Sequence, residues 1–428
     1  MPQSISSTKR QDLSELPHWL IWLAVLSLAI GIFVSVAACA AYHILLAIAA
    51  LFAWRTFKWS ELPTSAKFIL LLALTSVLSA VANTATMENS IGPVLKMKYP
   101  LFGVLGVVLL GSLPKTFVTE SRIRLTANLF LASITVASTY GILKVWGFDL
   151  LTLGVCTGGG QAAGLTGIMR YNHGIQMVLV LLAGILVYRK QVPPFYNRGL
   201  FLAAFGTGLV GLWEGATRGA LVGFLYGIPF VFFFQSQKRF WLSTVVCWSL
   251  ALFIIFGNYL NVGARIPTVV LTNPPPPLVL RGMKTDNRLS LYQAALFMLR
   301  EKPLLGHGPG QFVKQAVRIS GQHGLGHPVQ HAHAHNVFLE TAANLGAIGL
   351  IALLGWLGCW IHELWMRKDL VAKCVLPFVC AFIVGAQSEY TFDANSSFLI
   401  FFVYSASSIA TWIGIKTPVR PTTAIHAV

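Results

Sequence analysis

Six of the eleven histidines fall between His307 and His335, and the last three read His331-Ala-His333-Ala-His335-Asn336. An apolar helix is predicted to begin at once, with Asn336 as its N-cap and Glu340 in the first turns, where negative charge is favoured. His335 then stands at the positive end of that helix. The field there disfavours imidazolium, and a neutral ring able to accept a proton suits a general base. Two other readings stand beside this one. Three alternating histidines share one face of a strand and could ligate zinc, although no H-E-x-x-H or C-x-x-C accompanies them and acidic ligands are scarce nearby. An interfacial histidine without chemistry is the third.

Four arginines are the next candidates: Arg170, Arg218, Arg265 and Arg288. Arg218, in Glu214-Gly-Ala-Thr-Arg-Gly219, opens an apolar segment, and Arg170 precedes another. Guanidinium binds phosphate oxygens bidentately and keeps its charge, so a group of them suits a diphosphate. Alone, each could simply snorkel to a membrane surface. Gly158-Gly-Gly160 lacks the Lys-Ser/Thr of a phosphate loop and reads as a turn. Glu214 and Glu389 could act as acid or base, or could pair with a nearby arginine.

The elements that carry these residues follow from composition. The chain has 428 residues, 55% hydrophobic and 11% charged, too few charges to cover a soluble domain. The predicted class is all-α, a polytopic integral membrane protein. Twelve segments of sufficient apolarity are expected to cross: 19–38, 40–54, 67–87, 98–113, 125–146, 172–188, 199–213, 217–234, 240–260, 336–361, 371–388 and 396–415. They divide the chain into spans one to nine (1–260), a long loop (261–335) and spans ten to twelve (336–428). A cleaved signal peptide is not expected. Of the 31 Lys and Arg, 18 fall in alternate short loops and at the ends, which sets both termini and those loops in the cytoplasm. The other 13 lie on the trans side, eight of them within 261–335, and all four candidate arginines map to that face. This distribution accounts for the net charge of +17 without nucleic acid. Cys39, Cys247, Cys359, Cys374 and Cys380 lie in or beside spans and Cys156 in a trans loop, so no disulfide framework is expected.

Within the loop, Pro274 to Pro277 reads as a rigid spacer. Arg288 to Arg300 reads as an amphipathic helix with Leu289, Tyr292, Leu296 and Leu299 on one stripe, stopped by Pro303. Gly306-His-Gly-Pro-Gly310 is a turn whose glycines allow close backbone approach, and a short helix over roughly 310–319 follows.

In order, Thr217-Arg218-Gly219, then Arg288-x-x-x-Tyr292 leading through Glu301-Lys-Pro-Leu-Leu-Gly-His-Gly-Pro-Gly-Gln-Phe312, then Ala334-His335-Asn336-x-x-Leu339-Glu340 before Gly346-x-x-Gly349 resemble the bacterial O-antigen ligases and their polymerase and oligosaccharyltransferase relatives. The resemblance implies a glycosyltransferase of the inner membrane, active on its periplasmic face. Its donor is a glycan on undecaprenyl diphosphate and, in the ligases, its acceptor is the lipid A–core oligosaccharide. The family's base maps to His335 and its arginines to Arg218 and Arg288; Arg170 and Arg265 join them by position. His331 and His333 fall outside the motif. With no D-x-D motif and few acids, inverting transfer without metal or cofactor is expected. The O-antigen polymerase and the protein O-oligosaccharyltransferase share this donor and are the nearest alternatives. A polytopic transporter or flippase is the alternative from another class, disfavoured because the charges sit at one face rather than mid-bilayer.

Overall fold

The computed structural model describes residues 5–53, 62–85, 87, 91–148, 162, 164–192, 195–256, 288–325, 333–390, 392 and 394–409. All regular structure in them is helical. The helices are α1 (Ile5–Val34), α2 (Val36–Ala53), α3 (Thr64–Ala82), α4 (Ile91–Leu95), α5 (Lys98–Gly111), α6 (Glu120–Val145), α7 (Ile168–Val187) and α8 (Arg198–Glu214). They continue as α9 (Arg218–Val231), α10 (Gln237–Phe256), α11 (Arg288–Glu301), α12 (Phe312–His323), α13 (Val337–Arg367), α14 (Leu370–Gly385) and α15 (Ala394–Ile409).

Each of the twelve expected apolar segments is helical over most of its described length. Among the described residues, eight helices are long and apolar enough to cross a membrane: those at Glu15–Val34, Val36–Ala53, Thr64–Ala82, Gly92–Gly111, Glu120–Val145, Arg170–Val187, Gln237–Ile255 and Val337–Arg367. The other four expected spans are shorter among the described residues. Helices α8, α9, α14 and α15 have 17, 14, 16 and 16 residues, short of the roughly 20 that the hydrocarbon core requires. Helices α9 and α14 also carry an internal proline, Pro229 and Pro377.

Two packing devices position the site. The first is a groove on α9, where Gly219, Gly223 and Gly227 repeat every four residues. A Cβ at Gly223 would overlap the Gln176 amide of α7, and one at Gly227 would press on Val180 at 3.1 Å and Ala381 at 2.9 Å. Small residues at this period let helix backbones approach closely in a lipid setting. They leave room here for polar side chains of α7 at the interface.

The second device is a break in α13. Gly346 has φ 68° and ψ −166°, a conformation other residues avoid. The segment Pro303–Gly308 supplies the partners the break leaves open. Ala347 N–H donates to Pro303 O at 2.7 Å and Ile348 N–H to Leu304 O at 3.3 Å. In return His307 N–H reaches Ala343 O at 3.1 Å and Gly308 N–H reaches Asn344 O at 2.9 Å. Asn83, the C-cap of α3, donates to Gly306 O at 3.1 Å. The Glu301–Phe312 block is thus a splint on a broken helix, and its glycines make the approach possible.

Helix α11 departs from the expected stripe. Leu291, Ala294, Ala295 and Met298 are buried against Phe312, Ala316 and Ile319 of α12 and against Ala334 and Ala343. Leu289 is instead 67% and Leu296 46% exposed. The alanines of the buried stripe permit closer packing than the bulkier leucines would. Deeper in the molecule, Trp356 and Trp360 of α13 are fully buried and stack at 5.8 Å, and the Trp360 indole N–H donates to Ser407 Oγ of α15 at 3.0 Å. The five described cysteines are unpaired, and Cys156 lies outside the described residues.

Candidate active site

The site forms where the first turn of α13 meets the segment after α14. Asn336 caps α13, its Oδ1 accepting from Phe338 N–H at 2.9 Å and Leu339 N–H at 3.0 Å. Its amide donates to Gln387 O at 3.3 Å, and Val337 N–H donates to Ala386 O at 2.8 Å. Those bonds lash the start of α13 to residues 386–387. Glu389 follows directly.

Glu389 is buried. Its Oε2 lies 3.0 Å from His335 Nδ1 and its Oε1 lies 3.3 Å from His333 Nε2. Burial by itself would raise this carboxyl. The His335 hydrogen bond, with the charges of His335, His333 and His173, outweighs it and holds the group down to about 2. Glu389 is therefore an anion at neutral pH, and an ionised carboxylate only accepts. His335 Nδ1 must be the donor, so a neutral ring carries its lone pair on Nε2.

The backbone that presents both histidines is held as firmly. His335 has φ 49°, in the left-handed region that a non-glycine residue occupies at a cost. Ala334 N–H donates to the buried Glu340 Oε2 at 2.7 Å, and the other carboxylate oxygen accepts from Asn344 Nδ2 at 2.9 Å. Glu340, expected to serve the helix terminus by its charge, instead clamps the turn before the helix.

The sequence reading missed His173. It lies on α7, wholly buried, and its Nδ1 has no hydrogen-bond partner among the described residues. A Cβ on Gly385 would stand 3.3 Å from that nitrogen, and one on Gly219 would stand 3.6 Å from Cε1. The ring thus lies between the start of α9 and the end of α14, within electrostatic reach of Glu389, Arg288 and His335. A polar residue inside an apolar helix is the available signal, since such residues are expensive and face functional interiors.

Of the four candidate arginines, the three described ones each occupy the first turn of a helix: Arg170 in α7, Arg218 at the start of α9, and Arg288 at the start of α11. Arg170 precedes His173 by one turn. Arg218 adjoins Gly219, whose Cβ position would overlap Ser388 next to Glu389. Arg288 shares the field of His173 and His335. The first turns of α7 and α9 thus lie beside the carboxylate–imidazole cluster, and the Arg288 charge acts on His173 within it. Arg265, His331 and the Gly158–Gly160 turn lie outside the described residues. Glu214, the other carboxylate considered, is buried with Oε2 unpartnered among the described residues.

His333, His335 and Glu389 also constitute a group able to hold a metal ion, their ligand atoms lying within 4.8 Å of one another. The acidic ligand that is scarce near the histidines in sequence arrives from 54 residues away.

Residues 201–354 match the family model described as O-Antigen ligase. The matched stretch runs from α8 into α13, past the Gly346 break, and contains Arg218, Arg288, His333, His335 and Glu340. Arg170, His173 and Glu389 fall outside it. No curated protein matches the chain.

Proposed function

From the match of residues 201–354 to the O-Antigen ligase family model, we propose that this chain transfers O-antigen polysaccharide from undecaprenyl diphosphate to the lipid A–core oligosaccharide. The observation that carries the chemistry is the His335–Glu389 pair at 3.0 Å. In this reading all twelve apolar helices cross the inner membrane, the short ones within the bundle. Both termini are cytoplasmic and the site faces the periplasm.

The acceptor hydroxyl gives its proton to His335 Nε2 as its oxygen bonds to the anomeric carbon. The bond from that carbon to the diphosphate oxygen breaks, and the lipid diphosphate leaves with the electron pair. Glu389 holds the tautomer that makes Nε2 the acceptor and stabilises the imidazolium as it forms. Arg218 and Arg288, with Arg170 and Arg265, receive the charge growing on the diphosphate. Fixed cations aimed at developing charge are commonly a large catalytic contribution. A single displacement inverts the anomeric centre, and it needs no metal or cofactor.

The lipopolysaccharide of a strain lacking this gene tests the assignment. Loss of the O-antigen ladder, with polymer accumulating on the lipid carrier, supports the ligase. A single repeat capping the core moves the assignment to a polymerase, and an unchanged ladder overturns both. Transfer of labelled glycan by the purified chain in excess EDTA tests metal independence; abolition there refutes it.

A further inference from the structure

His333 stands outside the motif on which the transfer reading rests, yet its Nε2 is 3.3 Å from one oxygen of the carboxylate whose other oxygen holds His335. Two imidazoles and one carboxylate form a donor set that suits zinc-class divalent ions and leaves a coordination position open. Ligands bound at about 2.0–2.2 Å in a tetrahedral site lie about 3.3 Å apart. The separations of 3.0 and 3.3 Å are close to that, and all three donor atoms lie within 4.8 Å of one another. The imidazoles are reachable from outside, with side-chain exposures of 25% for His333 and 14% for His335. The turn that carries them is already fixed by Glu340 and Asn336, so little ordering remains for an ion to impose.

From this geometry we infer that His333, His335 and Glu389 form a binding site for a zinc-class divalent cation, and that its occupancy switches the transfer reaction off. The chemistry of inhibition follows from the ring. A neutral imidazole holds one proton. An ion on Nδ1 of His335 takes that lone pair, so the proton resides on Nε2, and the nitrogen that should accept from the sugar hydroxyl becomes a donor. No net proton is lost or gained; the ring changes tautomer. The same ion breaks the His335–Glu389 hydrogen bond and adds positive charge next to a ring that must itself become cationic during transfer. The Arg288 charge, felt at His173 beside this cluster, acts against cation binding, so tight binding requires all three ligands.

The inhibition half of this inference rests on the proposed role of His335; the binding half does not. The test accordingly has two readouts on the full-length chain in detergent or nanodiscs. Titration of the metal-stripped protein with zinc chloride, followed by calorimetry, should show one site. His333→Ala should weaken it by at least about tenfold, the lower end of what losing even an outer-shell partner costs a metal site. His333→Gln, closer in size and polarity, serves if the alanine variant does not fold. Magnesium, a hard ion that prefers oxygen ligands, should not compete. Glycan transfer, referred to each variant's own rate in EDTA, should fall on zinc addition in the wild type and resist the same zinc concentration in the His333 variant. Equal zinc affinity in wild type and His333 variant overturns the site, whatever the chain transfers. A rise in transfer on zinc addition overturns the inhibition while leaving the binding result to stand.

Discussion

Two histidine–glutamate pairs lie in the same stretch of the chain and meet opposite fates. His335 meets Glu389 at 3.0 Å, and His307 meets Glu301 at 3.5 Å. At the His307 pair, Arg318 grips both oxygens of Glu301, so the carboxylate already has a full countercharge. His307 Nε2 instead bonds Met298 O at 3.1 Å, and the ring is 4% exposed. Burial first, then Lys302, pushes this imidazole below its ordinary value, and the Met298 carbonyl and Glu301 restore only part of the loss. At the other pair, two imidazoles share Glu389, and His335 sits at the N-terminus of α13. The difference teaches what a sequence motif leaves unsaid. A histidine near a glutamate is a base only when the carboxylate is available to it and the ring can reach a substrate; otherwise it is a strut.

The comparison breaks most directly by removing the two rings in turn. His335→Ala should lower glycan transfer per folded molecule by on the order of 10²–10⁴-fold, the usual worth of a general base, beyond any fall in apparent Tm from depriving buried Glu389 of its hydrogen bond. His307→Ala should do the reverse. Its ring braces the splint across the α13 break, and its loss leaves Met298 O without that partner, at a cost of about 1–3 kcal/mol. The apparent Tm should drop while transfer per folded molecule persists. Equal losses of activity in the two variants would erase the distinction between base and strut. Glu389→Gln should come next, cutting transfer by roughly tenfold or more, because the neutral amide cannot stabilise the imidazolium and no longer fixes the tautomer.

How far the placement of these residues is legible depends on whether the cause is local. The helix-start positions of His335, Arg218 and Arg288 are readable because each is marked by its own neighbours, Asn336, Thr217 and the turn from polar to apolar residues. Glu389 could be considered but not paired, since its partner is chosen by the docking of α13 on residues 386–387. The break at Gly346 lay within a segment read as one continuous span. Nothing around Gly346 announces a break, because the groups that satisfy it come from Pro303–Gly308. On α11 the period was right and the face wrong: leucines outweigh alanines in hydropathy, but small residues win where two helices and a turn must pack. The helical class followed from composition alone.

The pH response sharpens the same contrast. Both groups have folded values pushed below their ordinary ones, so each contributes stability at high pH that acid removes. For Glu389 that contribution is full above 4.5 and disappears as pH falls through about 2. For His307 it is full above 6.5 and is lost as pH falls through the lower folded value. Apparent Tm should therefore decline as pH is lowered from 7 to 5, and His307→Leu should flatten the decline in that window. An unchanged slope in the leucine variant would show that His307 is not the group being charged.

The smallest expected effect is the most specific. Arg318→Gln removes a countercharge from Glu301 at a partly exposed pair, worth only about 0.2–1 kcal/mol of stability. Its electrostatic consequence is larger than its energetic one. One of the charges that hold His307 down, after burial and Lys302, is gone, and Glu301 becomes available to the imidazole 3.5 Å away. The His307 titration, followed by NMR with labelled histidine, should move upward, toward a pair that resembles His335–Glu389 in its charges. Combined with His335→Ala, the variant should still transfer no glycan, because His307 remains buried in the splint and reaches no acceptor. Recovered transfer in that double variant would mean that pairing with a carboxylate is sufficient, and that position at the N-terminus of α13 is not required.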